Sequence, residues 1–376
     1  MKRRRFIKIS TGALMILPGN LLGCGTKELP KPVSSNTDVI DEALKMMSDL
    51  APLSNHGPMA AEALFAMGRG DRVMPFVESY RRNFSSDFPP RFKKITQNDW
   101  KEALDDDRRT TDWIDFFNRE IDENGWKKTV DTWSNNLAPG LSAAAAHGLI
   151  RTGHAVRSLS RNENEGRKNE LAQALAYWAA YYQVLPETMK TDGEKSDLPG
   201  ALYKIPMFPP EKRVRGSIMR QLEALNDSFP EFGGVIGSLE IQGKPEQIIS
   251  DLTEAFAEIY VRNVLPRNNV ALIHSVTGLA SVRSLVPYFS LATTERMLRY
   301  GWQAAAGIYS ISGNEANNQE PADIPDIAGM TDQAATSNEV HAIKYTEACI
   351  REYKLNPKPI YLKAAKIAIG KLGRVR

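Results

Sequence analysis

Residues 37–50, TDVIDEALKMMSDL, decide how the rest of the chain is read. Val39, Ile40, Ala43, Leu44, Met47 and Leu50 recur every three or four positions, which gathers them on one stripe of a helix and would scatter them over both faces of a strand. The same period continues outward and predicts helices over roughly 56–67, 71–84, 98–105, 109–123, 126–135, 139–160, 167–185, 209–227, 245–264, 267–286, 292–310, 331–353 and 357–371. Pro139 suits a first helical turn, Asn55 precedes a run as a cap would, and Gly370 falls near the end of one. No alternating apolar pattern of useful length occurs, so the expected body is all-α, one large multi-helix domain over 37–376. Pro186 to Gly216 and Ser310 to Met330 are rich in turn-forming residues; with helices of similar composition on either side, they read as long loops inside that domain. Gly233-Gly234-Val235-Ile236-Gly237 lacks both a preceding strand and the spacing of a dinucleotide-binding turn.

Composition narrows the function classes. The chain has 376 residues, 42% of them hydrophobic, with 48 Lys+Arg against 45 Asp+Glu. Such a chain is neither disordered nor a disulfide-stapled miniature, and a net charge of +3 argues against a nucleic-acid partner. The small excess is local. Residues 1–23 hold Lys2, Arg3, Arg4, Arg5 and Lys8 and no acid; without them the balance is 43 to 45, a net of −2.

Arg3-Arg4-Arg5-Phe6-Ile7-Lys8 resembles the twin-arginine export motif. The apolar stretch Ile9 to Leu22, interrupted by Pro18-Gly19-Asn20, is shorter than the roughly 20 residues a membrane span needs. Leu21-Leu22-Gly23-Cys24 resembles a lipobox, in which cleavage before Cys frees it for acylation. The expectation is a signal peptide over 1–23, a lipidated Cys24, a flexible tether over 24–36, and a body anchored on the periplasmic or outer face of a bacterial envelope membrane. With Cys24 lipidated, Cys349 is the remaining thiol; it reads as a small core residue, and no intrachain disulfide is expected.

Five histidines carry the chemical signal: His56, His147, His154, His274 and His341, each flanked by small or apolar residues on an expected helix. A buried imidazole needs hydrogen-bond partners or a metal. His147 and His154 are seven apart, nearly two helical turns, and share a face; His341 and Lys344 are three apart and do likewise. Taken singly, each histidine suits a satisfied core position as well as a ligand. Together they suggest a site between helices, of the kind in which imidazole favours Zn, Fe, Cu or Ni. Lys344 reads either as part of that site or as a side chain reaching the surface. Arg151 faces the same region and reads either as a group for a substrate carboxylate or phenolate, or as the partner of a structural acid. Trp178, Tyr181 and Tyr182 read as a pocket lining or, at helical spacing, as core.

At these residues the sequence resembles the questin oxidase-like family, through NHGPMAAEALFAMG (55–68), APGLSAAAAHGLIRTGHAVRSL (138–159), ALIHSVTGLASVRSL (271–285) and EVHAIKYTEACIREY (339–353). The resemblance implies an all-α oxidative enzyme whose fungal relatives open a ring of anthraquinone-type polyketides with O2. It further implies a non-haem iron (Fe2+) held by several histidines and a lysine carbamylated by CO2. Carried onto this chain, the ligands are His56, His147, His274 and His341 with Lys344, and with His154 as a further candidate. Lys344 and Arg151 are the candidate catalytic residues. The chain departs from the family pattern near His154: a second histidine is expected four residues after the first, where Arg151 stands, and a Tyr-like residue at 154. The implied partners are a small polycyclic aromatic or quinone substrate and O2. The use of NADPH or another reductant, mono- against dioxygenase chemistry and the oligomeric state stay open. Two other readings compete: a non-catalytic all-α envelope lipoprotein that binds a ligand or acts as a scaffold, and haem held by two histidines, without the CxxCH motif of covalent attachment.

Overall fold

The apolar stripe at 39–50 becomes α1 (Thr37–Met47) and the turn after it, with Ile40, Ala43, Leu44, Met47 and Leu50 buried against α2 (His56–Ala66) and α3 (Gly70–Arg81). This is seen in a computed structural model that describes residues 37–50, 56–82, 88–188, 195–313 and 326–373. The signal peptide, the tether with Cys24, the Asn55 cap and the centres of the two long loops lie outside the described residues. Sixteen α-helices occur among the described residues, and no β-strand does; two isolated bridges, Leu141 with Gln183 and Ser196 with Leu239, are the only extended pairings there. The fold is all-α, as the period predicted.

The next layer is α4 (Thr110–Asn124), α5 (Trp126–Leu137), α6 (His147–Arg161) and α7 (Glu165–Ala180). Its core is aromatic: Trp113 stacks on Phe117 at 5.4 Å, and Trp133 turns an edge to Phe116 at 4.9 Å. Trp178, Tyr181 and Tyr182 belong to this packing, with the Trp178 indole donating to the Gly140 carbonyl at 3.0 Å.

The rest of the body comprises α8 (Leu198–Tyr203), α9 (Ile218–Ser228), α10 (Val235–Ser238), α11 (Pro245–Asn263), α12 (Asn269–Leu285), α13 (Leu291–Ser312), α14 (Ile327–Thr336), α15 (Val340–Leu355) and α16 (Pro359–Leu372). Capping fixes many starts: Asn164, Ser217, Ser290 and Asp326 each accept a first-turn N–H, and Pro245 and Pro359 open their helices. Helix α12 is central, packed by α6, α11, α13 and α15, and it is apolar on nearly every face because it is buried on nearly every face.

Several expected helices are shorter than predicted: the run 98–105 forms only a 3-10 turn at Trp100–Ala103, and the run 209–227 becomes an α-helix only from Ile218. The run 139–160 starts only at His147, because Ala144, Ala145 and Ala146 take left-handed backbone with φ of 47°, 59° and 66°. The run 331–353 is cut between α14 and α15, where Asn338 has φ of 52°. Gly370 lies inside α16, which Gly373 ends. The buried thiol of Cys349 is raised well above the ordinary range by burial, in keeping with a core residue.

Candidate metal centre

His56 is the first residue of α2, and the chain around it is shaped to hold it there. Tyr80 of α3 brings its phenol oxygen to 3.0 Å from the His56 backbone N–H, which donates to it. Gly57 permits this approach, since a Cβ at 57 would fall 2.7 Å from the Tyr80 ring. The phenol thereby occupies the place of a cap at the start of α2.

His147 is the first residue of α6. Three successive left-handed alanines precede it, a conformation that costs roughly 1–2 kcal/mol per L-residue. That turn carries the Ala144 carbonyl back to the imidazole, where it accepts from Nδ1. His274, in the second turn of α12, donates Nδ1–H to the Val270 carbonyl at 2.5 Å. His341, in the first turn of α15, places Nδ1 3.0 Å from Glu339 Oε1, while the other Glu339 oxygen accepts the Ala342 N–H at 2.7 Å and so caps the helix. One turn further along α15, Lys344 brings Nζ to 2.8 Å from His56 Nδ1 and is 3% exposed.

These five side chains meet. Ring centroids lie 4.7 Å apart for His56 and His147, 4.7 Å for His56 and His341, 4.5 Å for His147 and His274, and 5.6 Å for His274 and His341. Ligand atoms of His56, His147 and His341 all fall within 4.8 Å of one another. The Nε2 atoms of His147 and His274 are 3.2 Å apart.

That last contact constrains the protons. A carbonyl only accepts, so Nδ1 of both His147 and His274 must carry hydrogen. In the neutral tautomer each Nε2 then presents a lone pair, and the two lone pairs oppose each other. A proton between them would make a buried imidazolium. Burial, reinforced by His274 and Lys344, pushes His147 well below the usual histidine range; burial with His341 and Lys344 does the same to His274. Burial first, then Lys344, holds His56 well below that range too. Burial lowers His341, partly opposed by Glu339, and it lowers Lys344 to about 7. A cation shared by the two lone pairs would resolve the conflict. Metal–nitrogen bonds of about 2.1 Å separate adjacent ligands by about 3.0–3.4 Å, which brackets the observed gap. The donor set, imidazole nitrogen with a neutral amine beside it, fits a transition metal such as iron, and not Mg or Ca. Each Nδ1 acceptor is the outer contact that aims a metal-binding imidazole.

Two candidates stand elsewhere. His154 shares a helix face with His147, but seven residues place it about 10 Å further along α6, too far for one ion. Its Nδ1 lies 2.7 Å from Glu62 Oε2 and contacts Arg157. Arg151 turns to α7, where Nε and Nη2 donate to the two oxygens of Glu170 at 2.7 and 2.8 Å and Nη2 also reaches Gln173 at 3.0 Å. Its Nε and Nη2 are thus held by a buried acid, the structural alternative of the two readings. Sequence reasoning missed Tyr80 and Glu339, and it missed Glu62, Arg157 and Glu347, which form a buried ionic layer below the cluster. A Glu two residues before a candidate His, at a helix start, is a signal that was there to be found. Nothing local marks the others.

The fold and site thus define an all-α protein built around four histidines and a lysine from α2, α6, α12 and α15. The chain matches the questin oxidase-like family over residues 53–349 and belongs to it. Every one of the five converging side chains falls inside that match, and membership points to an oxidoreductase. No curated protein matches the chain.

Proposed function

We propose that the protein is a metal-dependent oxygenase, with non-haem iron held by His56, His147, His274 and His341 and with Lys344 as a further ligand after carbamylation. The observation that carries this is the opposition of the His147 and His274 lone pairs at 3.2 Å, which a shared cation relieves. Bound there, iron would supply redox chemistry and a place to bring O2 and an aromatic or quinone-type substrate together.

The protein's own residues prepare the centre. Ala144, Val270 and Glu339 accept from Nδ1 of His147, His274 and His341, keeping the remaining nitrogen of each ring free of hydrogen and fixed in direction. Burial lowers the Lys344 amine to about 7, so that a substantial fraction is neutral, and so nucleophilic, near pH 7. Its nitrogen can form a bond to the carbon of CO2 as one C–O π bond opens to an oxyanion. The proton that the amine sheds leaves to solvent, since burial and Lys344 hold His56, 2.8 Å away, well below the usual histidine range and keep it neutral. The resulting carbamate would give the site the anionic ligand that four neutral imidazoles do not.

Arg3-Arg4-Arg5-Phe6 and Leu21-Leu22-Gly23-Cys24 support export by the twin-arginine route and lipid anchorage at Cys24. That route carries folded proteins, which suits a metal loaded before export. Mass analysis of the mature N-terminus tests this part.

The activity is tested by loading the protein with iron and following O2 uptake with a panel of polycyclic phenols and quinones. Uptake that depends on both iron and one substrate class is expected. Protein carrying one equivalent of iron that consumes no oxygen across the panel would contradict the assignment.

A further inference from the structure

The helices that bring the ligands together are tied to one another a second time, deeper in the body. Glu62 follows His56 by six residues on α2, and Glu347 follows His341 by six on α15, a rise of about 9 Å in each case. Between them, from α6, reaches Arg157, which donates through Nη2 to Glu62 Oε2 and through Nη1 to Glu347 Oε1. Arg161, also on α6, pairs with Glu62 Oε1 at 2.7 Å. Arg351 donates to Glu347 Oε1 at 3.0 Å and to the Ala280 carbonyl of α12 at 3.0 Å. One ionic network therefore touches α2, α6, α12 and α15, the four helices that carry His56, His147, His274, His341 and Lys344.

Stability alone does not account for such a layer. Glu62 and Glu347 are 3% and 4% exposed, and buried ion pairs gain little over well-packed apolar residues of the same size. What they add is direction. Apolar stripes let two helices slide by fractions of a turn, whereas a planar guanidinium fixed to two carboxylates does not. A metal centre needs its ligands held within about half an ångström.

We propose that Arg157 is a positioning residue of the metal centre: by bridging Glu62 and Glu347 it sets the spacing of α2 and α15 about α6, and with it the geometry of the histidine cluster. This rests on the metal-centre reading above.

The test is titration of the metal-stripped full chain with cobalt(II), reading affinity and the visible absorption of the bound ion beside thermal unfolding. Arg157→Met is expected to lose stability and to bind cobalt about tenfold or more weakly. The triple variant Arg157→Met/Glu62→Gln/Glu347→Gln removes Arg157 together with both carboxylates it bridges, while Arg161 is a third exposed and reaches water and Arg351 keeps Glu352, so its unfolding should return towards wild type while affinity stays reduced and the absorption stays altered. Arg157→Lys keeps the charge without spanning both carboxylates, and it should show the same weakening if the triple variant does not fold. Wild-type affinity and spectrum in the triple variant or in Arg157→Lys would overturn the positioning role alone. A wild-type chain that takes up no cobalt would overturn the metal centre and this role together.

Discussion

Lys344 Nζ lies 2.8 Å from His56 Nδ1, two basic nitrogens joined across 288 residues of sequence with no carboxylate among the described residues bonded to the amine. Two such groups cannot both be charged at that distance in a buried site. Burial resolves it by holding Lys344 near neutrality, at about 7, and His56 well below the histidine range.

A pH dependence follows for the metal-free protein. Between about pH 7 and the ordinary lysine value of 10.5, the unfolded chain carries a proton on Lys344 that the folded chain has released. Stability must then rise with pH across that window, by about 1.4 kcal/mol per unit for one proton, and reach its lower level below it. The depressed histidines add a further loss as pH falls below 6.5, where the unfolded chain takes up protons that the folded site refuses. Urea unfolding at a series of pH values should show this slope, and Lys344→Met should flatten it between about pH 7.5 and 10. An identical slope in the variant would mean that the amine is charged in the folded protein.

Arg151 is expected to act on stability and not on the metal. Arg151→Met leaves Glu170 buried without its bidentate partner, a loss of about 3–5 kcal/mol in denaturant unfolding. Arg151→Met/Glu170→Gln should recover most of it. Bound metal per chain should be unchanged in the double variant, and a drop there would return Arg151 to the site.

Tyr80 links a helix start to a ligand. Tyr80→Phe keeps the ring and removes the oxygen that accepts the His56 N–H, so about 0.5–2 kcal/mol of stability should be lost, as for a missing helix cap. Metal affinity should fall severalfold with it, because His56 is the residue left uncapped. Unfolding and a metal titration on the same sample check both halves; unchanged affinity beside reduced stability would confine Tyr80 to the cap.

The helical period made the fold legible, and the apolar setting of His56, His147, His274, His341 and Lys344, with the family likeness at those blocks, made their grouping legible. The failures have physical causes. Ala143 to Ala146 reads as the best of helix formers, yet the turn that presents His147 needs three of those alanines left-handed, an instance of tertiary packing overriding propensity. Asn338 did carry a signal, since Asn tolerates φ > 0 better than most residues, but a continuous apolar stripe on both sides hid it. His147 and His154 share a helix face, and a shared face is not a shared site when the axial rise separates them. Arg157 joins residues 95 and 190 positions away, which no local pattern encodes.

The central claim is tested most directly by metal content. Wild-type protein supplied with iron and freed of loosely bound ions should hold close to one equivalent by elemental analysis. His147→Ala and His274→Ala should each lose it while keeping their helical circular dichroism, and His154→Gln, altered outside the cluster, should retain it. Wild-type protein without metal, or equal loss in the His154 and His147 variants, would contradict a centre built from the converging histidines.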